Sequence, residues 1–299
     1  MSIHPIDLHH RGRQGMICSF LLLDEEPTLV DPGPSTTLRQ LRLGLAEHGV
    51  RVRDLRHVLL THVHMDHSGS TGHLMAEHPG LSVHVHLDGL PHMADPTRLV
   101  AASRGIWGDN LDVFWGEMRP VPIDALRPWV PGSGARLPVR SIRPVATPGH
   151  IGHHVAYLHE GDGTLLVGDS LGVLLSEDAP THPKSPPPAV DLEAWRATLA
   201  EVRALGVERA AFAHFGIHQD VAKRTHRMEA ALADLEGRVL DAMNADDGEE
   251  RARAFREDTR VEMEVQLPAD LVQRYIETFD PVADWHGMER YVRHQESTL

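Results

Sequence analysis

The chain has 299 residues, enough to bury a substantial core as one large domain or as a domain with an appendage. Its 43 acidic against 29 basic residues give a formal net charge of -14, which opposes binding to nucleic-acid backbones through many Lys and Arg contacts. No apolar run approaches the ~20 residues a membrane-spanning helix needs, and a single cysteine, Cys18, excludes an intrachain disulfide framework.

The segment Met1 to Arg13 is polar and His-rich, without the apolar stretch of a secretory signal; together with the lone cysteine it points to the reducing cytoplasm. Cys18 lies in the apolar stretch Met16 to Leu23 and reads as a small buried hydrophobe. Two strands are expected here, Met16 to Leu23 and Thr28 to Val30, the second ending in Asp31-Pro32-Gly33. At such a place Asp31 is either a turn residue or a polar group aimed at a site. Ser35 can cap a helix over 36–48, with Leu38, Leu41 and Leu45 on one stripe and Gly49 as its stop.

The most informative stretch follows. Residues 57–61 read as a buried strand, after which come His62, His64, Asp66 and His67 within six positions. His62 and His64 are two residues apart and can point the same way as the chain leaves the sheet, so two neutral imidazoles can hold one divalent ion. Asp66 and His67 come as the backbone turns, with Gly69 permitting the tight turn, and their changed direction suits a second ion nearby. Nitrogen and carboxylate donors together suit zinc, with iron or manganese as other choices.

A helix is expected near Gly69. Residues 81–87 alternate, Val83 and Val85 against His84 and His86, which reads as a strand with a polar outer face. Residues 88–135 read as an inserted helical segment whose aromatics, Trp107, Phe114, Trp115 and Trp129, pack a core or a lid. Strands are expected again over 139–145, 154–158 and 164–167. His150 and Asp169 stand just beyond the first and the third of them. The segment Pro180 to Pro188 reads as a proline-rich surface loop. A helix over 191–205 carries Leu192, Trp195, Leu199 and Val202, and a buried strand over 209–213 ends in His214. Thereafter the pattern is helical, at 219–242, 268–278 and 282–295, with an acidic link over 244–250 and a weak strand signal over 260–266. This divides the chain into a body, 1–216, and a helical C-terminal cap, 217–299, whose Tyr275, Trp285 and His286 pack the cap on the body or else roof the site. His9, His10, His73, His78, His218 and His226 show no partner pattern and read as surface groups; His153 and His154 are expected to be neutral, exposed or hydrogen-bonded.

Asp31 after a strand, then His62, His64, Asp66 and His67, then His150, Asp169 and His214, in that order, resemble the five motifs of the metallo-β-lactamase superfamily. The likeness covers about two thirds of the chain, residues 31–214. It implies an α/β fold, a four-layer αββα sandwich, with a dinuclear site at one edge. His62, His64 and His150 would hold one metal; Asp66, His67 and His214 the other; Asp169 would bridge, and Asp31 would orient the ligand loop. The activity implied is hydrolysis of an ester-like bond, such as a thioester or lactone, by a metal-bridging hydroxide, with two divalent ions, zinc above all, and Asp66 orienting the nucleophile or passing a proton. The two-zinc β-lactamases carry Cys where this chain has Asp169, and flavo-diiron proteins carry Glu in place of His64. The sequence around His150 and His154 is similar to the glyoxalase II and lactonase-like branch, although Ser70 and Ile151-Gly152-His153 depart from it. A mononuclear-iron enzyme of the persulfide dioxygenase kind and a small-molecule phosphodiesterase are the other implied activities. The expected partner is a small molecule, with no nucleic acid and no membrane; a homodimer is compatible with it.

Overall fold

The computed structural model describes residues 3–134, 136–243 and 247–298. Among the described residues the first half runs β1 (Ile3–Asp7), β2 (Cys18–Leu22), β3 (Thr28–Val30), α1 (Leu38–Glu47), β4 (His57–Leu59), α2 (Met65–Ser68), α3 (Thr71–Glu77) and β5 (Ser82–His86). The inserted segment supplies α4 (Leu90–Ala94), α5 (Thr97–Trp107), α6 (Leu111–Phe114) and β6 (Leu126–Trp129). The second half is β7 (Ile142–Ala146), β8 (Val155–His159), β9 (Thr164–Gly168), α7 (Leu192–Ala204), β10 (Arg209–Phe212) and β11 (Gly216–Gln219). It is followed by α8 (Val221–Met243), α9 (Gly248–Glu264), α10 (Ala269–Thr278) and α11 (Pro281–Thr298).

Six strands pair in the order β1-β2-β3-β4-β5-β6 and five in the order β11-β10-β9-β8-β7. β3, β4, β5 and β6 run parallel, as do β9 and β10. Period-two alternation then sorts each strand between two cores. In β4, Val58 faces the helices and Leu59 the opposite sheet; in β8, Ala156 faces helices, while Val155 and Tyr157 face the sheet. Three apolar clusters result, one between the sheets and one under each helical layer, which is the expected αββα sandwich.

Several expectations are corrected. His84 and His86 are not on an outer face: both are buried, because the residues opposite Val83 and Val85 face into the sandwich rather than water, and His84 Nε2 meets His57 Nδ1 at 3.1 Å. The insert is not wholly helical, since β6 adds to the edge of the first sheet. Residues 260–264 finish α9, with Ala252, Thr259 and Met263 buried at helical spacing. His10 is buried, stacked on Trp115 with ring centroids 5.0 Å apart, and His218 bonds Glu177. The acidic link falls partly outside the described residues, at 244–246, and α9 begins at Gly248.

The boundary drawn after residue 216 falls at the first residue of β11, which pairs antiparallel with β10. The helices beyond it are shared between the layers: Leu271, Val272, Tyr275 and Ile276 of α10 enter the first sheet's helical core, and Trp285, Met288 and Val292 of α11 enter the second's. Tyr275 and Trp285 are therefore core residues, the packing alternative of the two expected for them. No helix among the described residues is long and apolar enough to cross a membrane.

Candidate metal centre

Parallel strands deliver their C-terminal ends to one edge of a sandwich, and loops gather there. β4 leads into His62 and His64, α2 carries Asp66 and His67, β7 leads towards His150, β9 ends just before Asp169, and β10 ends two residues before His214. All seven are brought together, in two groups.

In the first group His64 Nδ1 lies 3.0 Å from His62 Nε2 and 2.9 Å from His150 Nε2. The tautomers follow from the other ring nitrogens. His150 Nδ1 donates to the Lys184 carbonyl at 2.5 Å, so its Nε2 carries a lone pair. The Thr61 hydroxyl donates to Asp31 Oδ2 at 2.6 Å, which leaves it to accept from His62 Nδ1 at 3.1 Å. His62 Nε2 is then a lone pair as well. Two acceptor nitrogens thus face His64 Nδ1, which has at most one proton to offer. A cation resolves that clash of lone pairs.

In the second group His67 Nε2 stands 3.5 Å from Asp66 Oδ2 and 3.3 Å from Asp169 Oδ1; His214 Nε2 is 3.4 Å from each of the same two oxygens. Ligands about 2.1 Å from a shared ion in tetrahedral array are about 3.4 Å apart, so the spacing fits one. His67 Nδ1 donates to Asp31 Oδ2 and His214 Nδ1 to the Met16 carbonyl, both at 2.9 Å, which turns each Nε2 lone pair inward. His67 Nε2 and both Asp169 oxygens are buried without a hydrogen-bond partner. Asp169 Oδ2 points the other way, 3.5 Å from His150 Nε2 and 3.9 Å from His62 Nε2, so the carboxylate lies between the groups. The donor set fits a pair of divalent cations.

In the first group charges follow the same pattern, whereas in the second burial is outweighed by the Asp169 and Asp66 carboxylates, with Asp31, which raise the His67 imidazole well above its ordinary range. Burial holds the His62, His64 and His150 imidazoles below their ordinary range, His150 at about 4, which keeps them neutral. Burial would raise Asp66 and Asp169, but the Lys184 ammonium, His67 and His214 together outweigh it and hold both carboxyls well below their ordinary range. Asp31, left open between a turn and a site residue, does both: at φ +48° it receives the Thr61 amide at 2.8 Å as well as the His67 ring.

Residues 180–188, expected on the surface, carry the largest surprise. Thr181, His182, Lys184 and Ser185 are buried, and Lys184 Nζ donates to Asp66 Oδ2 at 2.6 Å, 3.3 Å from Asp169 Oδ2. Prolines mark an extended, non-helical path but say nothing of depth; here α11 lies over the loop, which the sequence did not disclose. His154 is wholly buried, its Nε2 accepting from the Asp169 amide at 3.1 Å and its Nδ1 meeting Thr147 Oγ1 at 2.7 Å. It sets the backbone of the shared carboxylate. His153 is buried too and lines a cavity of about 790 Å³ that opens on Asp66 and His64, walled by Leu99, Ile106, Trp107, Phe279 and Val282.

Asp284 of α11 takes the Ser185 amide on Oδ1 at 2.6 Å. Burial pushes its carboxyl from 3.8 up to about 8, despite the Ser185 amide and Lys184 nearby. The folded state therefore binds this proton more tightly than the unfolded chain, so the contribution is full below the lower value and is lost as pH rises through the upper one. Asp284→Asn keeps the acceptor for Ser185 and is expected to be progressively more stable than the parent between about pH 4 and about pH 8. Urea midpoints of both proteins across that window check this; parallel profiles would count against it.

The fold and the clustered donors are those of a metal-hydrolase fold. The chain belongs to the metallo-beta-lactamase superfamily, whose family model matches residues 13–214. It is similar to a metallo-beta-lactamase family protein, TTHA1429 of Thermus thermophilus, with 22% identity, a TM-score of 0.71 and 99% and 93% of the two chains covered. It is 29% identical over 205 residues to a lactamase-like protein, vrtG of Penicillium aethiopicum, covering 64% of this chain and 52% of that one. To a thioesterase, pkgB of Emericella nidulans, it is 26% identical over 144 residues, covering 47% and 32%. The chain thus spans about a third to a half of the length of these two curated relatives.

Proposed function

We propose that this protein is a dinuclear metal-dependent hydrolase acting on an ester-like bond, thioester or lactone, of a small molecule with an apolar body. The observation that carries the reading is Asp169, buried with neither oxygen hydrogen-bonded, its two oxygens facing the two donor groups. His62, His64 and His150 would hold one ion, and Asp66, His67 and His214 the other, with Asp169 shared. A bound pair would supply Lewis acidity and an acidified water, a single zinc already bringing the pKa of water from 15.7 to about 7.

The remaining work falls to the chain. Asp31 and Thr61 fix the rings of His67 and His62, and the carbonyls of Lys184 and Met16 fix those of His150 and His214. Asp66, at the cavity mouth, is the carboxylate placed to orient a nucleophile or to take its proton. Leu99, Ile106, Trp107 and Phe279 exclude water around an acyl or ring body. The likeness to a protein named a thioesterase supports the thioester member of the class.

The test joins metal analysis of the purified protein to a panel of thioester, lactone, phosphodiester and β-lactam substrates. Two zinc ions at saturation with turnover of a thioester or lactone is the expected result. One iron per chain with no hydrolysis, or turnover of the phosphodiester alone, would overturn it.

A further inference from the structure

Of the 29 basic residues in the chain only two are lysines, Lys184 and Lys223, so a cation needed merely for charge is ordinarily an arginine here. Lys184 is the exception that reaches the metal centre. A compact ammonium can sit where a planar guanidinium cannot. Its Nζ donates to Asp66 Oδ2 at 2.6 Å and stands 3.3 Å from Asp169 Oδ2 and 3.4 Å from His214 Nε2, under the Phe279 ring at 4.2 Å from the centroid.

This contact is unequal between the two donor groups. The second group owes its attraction for a cation to Asp66 and to Asp169 Oδ1, and the ammonium is bonded to Asp66 and lies 3.4 Å from His214 Nε2; at Asp169 it stands beside Oδ2, the oxygen turned towards the first group. The first group is three neutral imidazoles, none of which bonds the ammonium; His150 Nδ1 reaches only the Lys184 carbonyl. The ammonium cannot withdraw with its backbone, because α11 pins the loop: Ser185 N donates to Asp284 Oδ1, and Ser185 Oγ to the Asp284 carbonyl at 3.2 Å. An arriving ion must either accept a unit charge beside its ligand or push the ammonium off its two carboxylates. Each course weakens the second ion more than the first, which meets the ammonium only across Asp169 Oδ2.

We propose that Lys184 splits the metal affinities of the two groups, so that a divalent cation is held tightly at His62, His64 and His150 and about tenfold or more weakly at Asp66, His67, Asp169 and His214. The dinuclear form then assembles only when metal is plentiful. This inference rests on the dinuclear reading, but its test needs no substrate.

The full-length protein, stripped with a chelator, is titrated with Zn²⁺ by calorimetry, and metal content is measured after gel filtration. The parent is expected to bind in two steps. Lys184→Met is expected to tighten the second about tenfold and the first by less, while Lys184→Arg, which keeps the charge, leaves the second weak. Circular dichroism checks folding; if Lys184→Met does not fold, Lys184→Gln takes its place. Two equal steps in the parent, or a second step that the neutral variant leaves unchanged or weakens, would overturn the proposal while leaving the dinuclear reading intact. A parent that binds no zinc would overturn both.

Discussion

Asp169→Ala is expected to lose the second metal and to lower hydrolysis by at least about a hundredfold, more than the change of an outlying partner brings. The carboxylate is wholly buried and directs one oxygen to each donor group, and neither oxygen is engaged by any hydrogen bond. Its removal therefore takes a ligand from both groups at once. It also strips Lys184 of one of two neighbouring carboxylates, leaving a buried ammonium with Asp66 alone. An uncompensated buried charge is costly, so some loss of stability should accompany the loss of metal. Asp169→Asn keeps the shape and one acceptor, and should fall between the alanine variant and the parent. Metal content and turnover measured on the same samples decide the matter. Two tightly held metals with undiminished turnover in the alanine variant would defeat the assignment.

What the sequence disclosed follows from where its signals are local. The ligands stand at the ends of apolar strands, and a strand end is legible because a hydrophobic run stops there; hence a neighbouring run marks each of Asp31, His62, His150, Asp169 and His214. Elements whose stability comes from partners carry no such mark. β1 has only Ile3 and Ile6 buried and contains Pro5, and β11 is a polar ribbon completed by β10. His84 and His86 show the same limit from another side: alternation separates two faces of a strand but cannot tell which of them meets water, and in a sandwich neither does. Lys184 is the costliest omission. Nothing in Pro180 to Pro188 signals that a helix a hundred residues later will cover it, since that contact is between chain segments with no pattern in common.

That covering helix yields the second large effect, Gly287→Val. Gly287 lies on the buried face of α11, and a Cβ built there would fall 1.7 Å from the Ser185 carbonyl oxygen, an overlap with backbone that no side-chain rotation relieves. Either α11 lifts or the loop at 184–185 moves. Lifting α11 loosens Trp285, Met288 and Val292 from their core, and overpacking of this kind costs about 1–3 kcal/mol or more. Moving the loop displaces the Lys184 carbonyl that holds the His150 ring and the ammonium that bonds Asp66. In both cases a residue that touches no ligand atom degrades the centre. The expected result is a melting temperature several degrees lower, together with weaker retention of metal by His62, His64 and His150, read by dialysis against a chelator. Gly287→Ala presents the same Cβ and should show the same two defects to a lesser degree. A valine variant that melts lower yet keeps its metal as tightly as the parent would show that the helix supports the fold without steering His150.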